Sequence, residues 1–515
     1  MSTEIRPGIQ PDTKGNTSIE TEVRHEENLT SERQIMRKVD WRLLPLLGML
    51  YALALIDRTN LGVARIAGMD RDLRLSKGIR YSIVSAIYFV PYIVLQLPSN
   101  LVLRQFGVSN WLAFCVVLWG AVQLAMGFVP TWGLLALCRA LLGAFEAGFF
   151  PALVFIITTW YKRHEVQKRL AGFYIISILA GGFSAIFAYV LSLLGGKLGL
   201  AGWSWIFIVE GAITIVFGAF AWFYIPDFPD KNTFLNEEQT SFVLRRVEND
   251  RGDSTPDTLS TRKLLEHLSD WKIWVFGKVF YFYYSSMVYE LGILALMYMC
   301  VTVPAYAIGL LTTNRFFVTI ILRGMGWSVK DSLLLSAPPY VFSAISIMFF
   351  AWMSDKYQQR ALFIAIQTFI TLVGLFLTCF SSSSAWRYTG EKTSISLHHK
   401  LIPTSTGLFF SNAGSSGCVP AIIAYASNNI ISHTKRAVTT ALVVSFGGIG
   451  GIFATTVFRQ KDNPRFLPGI YATIACQFLL LALLAITTLY FWYQNKKGRV
   501  SGKPIEGKVG FLYTL

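Results

Sequence analysis

The chain has 515 residues, 53% of them hydrophobic and only 15% charged, with a mean hydropathy of +0.47. A soluble domain carries about 25% charged residues, so this composition excludes an ordinary globular enzyme and indicates a polytopic membrane protein. The net charge of +16 does not point to nucleic acid, because the basic residues sit in short loops between apolar runs.

Residues 1–41 are polar, with nothing like the apolar core of a signal peptide, and read as a cytoplasmic tail. Apolar runs of about 20 residues, each enough to cross a bilayer, then begin near Leu43, Tyr81, Trp111, Leu134, Leu170 and Trp203, so residues 42–226 read as a six-helix bundle. Residues 227–270 are polar, include the charged stretch LNEEQTSFVLRRVENDRGD, and read as a cytoplasmic linker. A second bundle follows over residues 271–494, with runs from Trp271, Val329, Ala361, Leu408, Arg436 and Tyr471, before a cytoplasmic tail at 495–515. Basic clusters in alternate loops (Lys162 with Lys168 and Arg169, Lys356 with Arg360, Lys496 with Lys497) place both termini in the cytoplasm. Arg71, Arg74, Lys77 and Arg80 run against that pattern.

The six cysteines all lie in apolar segments and read as packing thiols, without metal-ligand spacing or a disulfide framework. Nucleotide-binding loops, nucleophile elbows and HExxH patterns are absent from the sequence, so an enzyme is not expected and no metal or cofactor is called for.

Four ionisable residues stand inside apolar stretches: Asp57 and Arg58 in LLPLLGMLYALALIDRTNLGVARI, and Arg139 and Glu146 in LLALCRALLGAFEAGFFPALVFIITTW. A charge at the bilayer centre costs ~2.5–3.5 kcal/mol on insertion scales, so such groups mark pathways or coupling sites. Arg139 and Glu146, about two turns apart, share one helix face. At 1.5 Å per residue, Asp57, Arg58 and Arg139 fall at similar depth on the outer side, and Glu146 about 10 Å deeper than Arg139, near the midplane. Arginine is the natural anchor for a carboxylate, because its planar fork can bind one bidentately. Asp57, with Arg58 adjacent and Arg139 level with it, is expected to be held ionised. Glu146, deeper and further from these cations, is expected to be the principal proton-coupling group. Gly143 and Gly148 flank it and allow close helix approach, whereas the GGIGG run from Gly447 reads as packing. Asn412 and Ser415, with Ser411 and Ser416, can hydrogen-bond a substrate or glue helices together.

Six spans, a charged linker and six more spans are the layout of the major facilitator fold, an all-α polytopic protein of two six-helix bundles and about twelve transmembrane helices. The halves echo one another: SIVSAIYFVPYIVLQLPSNLVLRQFG parallels SLLLSAPPYVFSAISIMFFAWMSDKY. Asp355 and Arg360 in SDKYQQR form an acidic-then-basic loop expected to latch cytoplasmic helix ends; the equivalent LRQFG lacks the acid.

The motifs IDRTNLGVARI, RALLGAFEAGFFP with TTWYKRHE, LSAPPYVFSAI and SFGGIGGIFATTVFRQ resemble the fungal allantoate permease family, in the anion:cation symporter branch of the major facilitators. The resemblance implies import of a small carboxylate (nicotinate first, then allantoate, pantothenate or similar) with protons. It assigns anion binding and proton coupling to the pairs that match Asp57 with Arg58 and Arg139 with Glu146. The expected partners are that substrate, protons and the bilayer, with the protein a monomer in the plasma membrane. A transport-inactive sensor and a drug exporter are the alternatives; inward arginines weigh against a cationic cargo. Residues 279–294 and 391–407 depart from the family pattern, begin at Gly-Lys or Gly-Glu, and read as retained introns; residues 271–322 are apolar for longer than one span requires.

Overall fold

The computed structural model describes residues 13–251, 286–313, 337–380, 396–430, 433–458, 467–501 and 511–515, and among these there are helices and no strand. The first half contains α1 (Thr13–Ala64), α2 (Arg80–Ala86), α3 (Phe89–Phe106), α4 (Val108–Met126), α5 (Trp132–Glu146), α6 (Phe149–Trp160), α7 (Arg163–Ser192) and α8 (Gly202–Tyr224). α5 and α6 together make one candidate span, Trp132–Trp160. The linker carries α9 (Glu237–Arg251). The described residues of the second half supply six more helices: α10 (Ser286–Thr313), α11 (Pro338–Tyr357), α12 (Arg360–Phe380), α13 (Ser396–Asn428), α14 (His433–Val457) and α15 (Leu467–Ser501). Among the described residues seven stretches, the joined α5–α6 among them, are long and apolar enough to cross a membrane. Large apolar side chains such as Phe220, Ile345, Phe369 and Leu489 remain exposed on their outer faces, where lipid would meet them.

Within each half, α4 packs along α8, α1 along α7, α12 along α13 and α10 along α14; the halves meet where α3 lies against α14 and α7 against α11 and α13. Small residues set these distances. On α14, Gly447 and Gly450 sit against Tyr298 and Thr302 of α10, while Gly448 and Gly451 sit against Ile93 and Phe89 of α3, so the GGIGG run packs on two sides at once. A β-carbon on Gly143 would strike the Tyr88 carbonyl, and one on Gly148 the Ser99 hydroxyl, which is why α5 and α6 approach α2 and α3 so closely.

At the linker end, Arg169 reaches Asp40 (3.2 Å) and Arg246 of α9 reaches both Glu32 (2.6 Å) and Glu165. Burial works against the Arg246 charge, but the Glu165 and Glu32 carboxylates outweigh it and hold the guanidinium above its ordinary value. The acid missing from LRQFG comes from further along the chain: Asp227, just beyond α8, accepts from the Val108 N–H at 2.9 Å and caps α4 where Gly107 turns at φ +85°. The last residues are not a loose tail. Asn495 exchanges two hydrogen bonds with the Tyr513 backbone (2.8 Å each), and the Tyr513 ring stacks on Phe491 at 4.3 Å. Of the two departures from the family pattern, residues 286–294 belong to α10 and 396–407 to α13; 279–285 and 391–395 lie outside the described residues.

Candidate functional site

Between the halves lies a cavity with about 190 Å³ of water-accessible space. Three of the expected binding residues, Arg58, Arg139 and Asn412, line it. So does a group that spacing alone did not reveal: Tyr51, Tyr81, Tyr88, Tyr174, Tyr298, Tyr306 and Tyr340. They come from both halves, and each adds a flat ring and a hydroxyl donor.

Arg58 projects from α1 to Glu146 on α5, with Nε on Oε1 at 2.8 Å and Nη2 on the same oxygen. Its Nη1 donates to the Tyr306 hydroxyl of the other half at 3.1 Å, and its guanidinium lies 5.0 Å from the Tyr92 ring centre. Tyr88 donates to the second Glu146 oxygen at 2.7 Å. Glu146 is therefore gripped by a cation, contrary to the expectation that it stands apart from the arginines. The reason is helical geometry: successive residues point about 100° apart, so Asp57 and Arg58 cannot face the same partner. Asp57 turns instead towards α4, where Trp119 Nε1 donates to it at 2.7 Å. Arg139 meets Asp57 only through the backbone carbonyl, at 3.3 Å.

Arg139 is 3% exposed, its Nε has no acceptor, and it makes no ion pair with any described residue. Tyr88 lies under its guanidinium at 5.1 Å. Asn412 presents an amide Nδ2 that likewise has no partner, while its Oδ1 accepts from Ser416. Ser415 is not at the cavity: it is buried and its hydroxyl bonds back to the Asn412 carbonyl of its own helix. Glu146 and Asp57 stand behind the lining rather than in it.

Asp355 and Arg360 lie far from the cavity at the linker end, 3.0 Å apart. Both reach across the halves: Asp355 accepts from the Lys168 N–H at 3.1 Å, and Arg360 and Ser354 (2.9 Å) both donate to Gln167. One acid escaped the sequence reading altogether. Glu210 of α8, in the apolar WIFIVEGAITIVFGAF, is 1% exposed and accepts from the Asn60 amide.

Two helical bundles around a central cavity fitted with buried guanidiniums are the architecture of a solute carrier. The profile of the Major Facilitator Superfamily matches residues 47–455, and the chain belongs to that superfamily. It is a multi-pass membrane transporter and not an enzyme. It is similar to the MFS-type transporter efuF of Hormonema carpetanum, 28% identical over 92% of this chain and 88% of the relative. It is 26% identical to the major facilitator-type transporter hxnP of Emericella nidulans, over 91% of this chain and 87% of that one. Among solved structures, the major facilitator proton:xylose symporter XylE shares the fold, with a TM-score of 0.59 and 15% identity over 88% of this chain and 95% of that one.

Proposed function

We propose that this chain imports a small organic carboxylate together with protons, by rocking its halves about the central cavity, with nicotinate the first substrate to test. The observation that carries the reading is Arg139: a buried guanidinium at the cavity wall, without a carboxylate partner among the described residues. An unpaired buried charge is costly, and a bound carboxylate supplies what is missing. The Asn412 amide beside the cavity offers a further donor, and the tyrosines favour a flat ring able to stack and accept hydrogen bonds.

Proton coupling follows from competition for Arg58. While Glu146 is ionised it occupies Arg58. A proton on Glu146 releases the guanidinium, and the substrate carboxylate takes the vacated place; this makes substrate and proton bind cooperatively. Glu146 keeps the principal coupling role on this ground, not on distance from the arginines. The Asp355–Arg360 contact acts as the conformational latch on the cytoplasmic side. A drug exporter for cations fits poorly, because the ionisable groups lining the cavity are two arginines and tyrosines. The test is uptake of radiolabelled nicotinate into proteoliposomes under an inward proton gradient, with pantothenate and allantoate as competitors. Accumulation abolished by a protonophore supports the reading; uptake indifferent to the gradient removes proton symport, and failure of all three carboxylates to enter or compete removes the substrate class.

A further inference from the structure

Residues 511–515 lie at the linker end of the second half and form no helix. Exposure alternates along them, with Phe511 at 5%, Leu512 at 36% and Tyr513 at 6%, the period of an extended segment. Their backbone is paired residue by residue. The Tyr513 N–H donates to Asn495 Oδ1 and its carbonyl accepts from Asn495 Nδ2, both at 2.8 Å. The Thr514 N–H donates to Asn429 Oδ1 at 2.8 Å, and its carbonyl accepts from Asn429 Nδ2 at 3.3 Å. The Leu515 carbonyl accepts from the Arg360 N–H, at the start of α12, at 2.6 Å.

In an extended chain, successive residues turn their N–H and C=O groups to opposite edges. Asn495 of α15 therefore holds one edge of the segment, and Asn429, just past α13, holds the other. A side-chain amide carries the same donor and acceptor as a peptide unit. The two asparagines thus do what neighbouring strands do when a peptide is added to a sheet. They are 2% (Asn429) and 8% (Asn495) exposed, and buried amides require partners, which the segment supplies. Pairing of this kind reads backbone; side chains add sequence preference. The Tyr513 ring stacks on Phe491 at 4.3 Å, Phe491 also meets Tyr425 at 5.8 Å, and Phe511 stands edge-on to Tyr513 at 5.4 Å.

We propose that Asn429, Asn495 and Phe491 form a peptide-docking groove, occupied in cis by residues 511–515 and selective for an aromatic–x–Tyr–Thr segment, whose docking sets the latch. The Leu515 carbonyl fixes the Arg360 backbone, while the Arg360 side chain reaches Asp355 and, across the halves, Gln167. The backbone bonds of the segment stay within the second half, so it acts on the crossing contacts through Arg360. Undocking loosens Arg360 and weakens the closed linker end. That effect rests on the rocking reading above; the groove itself does not.

The experiment is hydrogen exchange of the purified full chain in lipid nanodiscs, comparing wild type with Tyr513→Ala/Thr514→Pro. The double variant removes the stacked ring and the N–H that Asn429 accepts, while position 513 stays extended before proline. Both changes lie in the segment, so the bundle keeps every one of its own residues. Exchange across residues 355–364 and, in the other half, 163–170 is expected to accelerate by about tenfold or more. A synthetic peptide of residues 509–515, added to the variant at about 1 mM, the order of effective concentration a short tether supplies, restores protection; the same peptide with both substitutions does not. Rescue in trans is not produced by a merely structural chain end. Wild-type exchange in the variant, or acceleration that the peptide fails to reverse, overturns the groove. Reversible acceleration confined to residues 355–364 keeps the groove and overturns its control of the latch. Nicotinate uptake is measured on the same samples: its absence from wild type counts against that substrate and leaves the exchange result standing.

Discussion

Replacing Glu146 by Gln tests the competition for Arg58 directly. In the protein, Arg58 gives Nε (2.8 Å) and Nη2 to one Glu146 oxygen while Tyr88 holds the other at 2.7 Å, and Glu146 is 1% exposed. Gln keeps the shape and can still accept from Tyr88, but it removes the negative charge. A hydrogen bond to a charged group contributes about 1.5–3 kcal/mol, and every 1.4 kcal/mol is tenfold in affinity. Freed of that competitor, Arg58 binds the substrate carboxylate roughly 10- to 100-fold more tightly, and the tightening no longer depends on pH. Breaking a buried pair from one side costs about 3–5 kcal/mol, so the ligand-free variant melts at lower temperature and regains stability when substrate is added. Counterflow exchange persists, but concentrative uptake is lost because no proton can be released at position 146. The assays are nicotinate binding at acidic and at neutral pH, thermal unfolding with and without ligand, and paired counterflow and gradient-driven uptake in proteoliposomes. Wild-type pH dependence in the variant, or accumulation against a gradient, refutes the argument.

Arg139→Lys retains charge but not the planar fork, and uptake falls about tenfold or more at matched expression; near-wild-type uptake removes Arg139 from substrate binding. Gly143→Ala places a methyl group on the Tyr88 carbonyl, backbone that cannot rotate away, so α2 and α5 separate, the Tyr88–Glu146 bond is lost and thermal stability drops by about 1–3 kcal/mol; unchanged melting contradicts the packing. Asp355→Asn weakens the contacts to Lys168 and Arg360 and raises cysteine-labelling rates at the linker end, and labelling equal to wild type refutes the latch. Arg246→Ala frees α9 from Glu32 and Glu165, so hydrogen exchange across residues 237–251 accelerates by tenfold or more, on the order of 1.4 kcal/mol; unchanged protection denies the anchor.

The two-bundle fold was legible because hydrophobic length and charged linkers are dictated by the bilayer itself. The ionisable residues Asp57, Arg58, Arg139 and Glu146 stood out because apolar surroundings make them costly. Their pairing was not legible. Depth along a helix follows from residue number, but which neighbour a side chain faces depends on rotation, and Arg58 and Asp57 diverge for that reason alone. Ser415 illustrates the same limit: one position beyond Gly414 on α13, it turns into its own helix, while Asn412 and Ser416, on one face, reach the cavity. Glu210 carried the same signal as Glu146, an acid in an apolar run, and required only the same test applied to α8. Asp227 and the packed residues 511–515 carried no such signal, because their partners are distant in sequence and set by tertiary contact.

On the proposed rocking mechanism, the contacts at the linker end set how much binding energy moves the halves. Among the described residues, those that cross the halves include Lys168 N–H to Asp355, and Ser354 and Arg360 to Gln167. Other contacts of Arg360 and of the neighbouring helix ends stay within the second half. The Leu515 carbonyl accepts from the Arg360 N–H at 2.6 Å, Asn429 pairs with Thr514, and Asn495 pairs with Tyr513, so the chain end ties α12, α13 and α15 together beside the latch. Rocking breaks the first set and preserves the second. At about 0.5–1.5 kcal/mol net for each hydrogen bond, these three crossing bonds cost a few kcal/mol to open. Inverting a two-state population from 1:99 to 99:1 takes about 5.5 kcal/mol of differential binding, which is the same scale. Under the proposed symport, the exchange of partners at Arg58 and the neutralisation of Arg139 lie in that range, so a carboxylate and its protons open the proposed latch without unfolding the bundle that carries it.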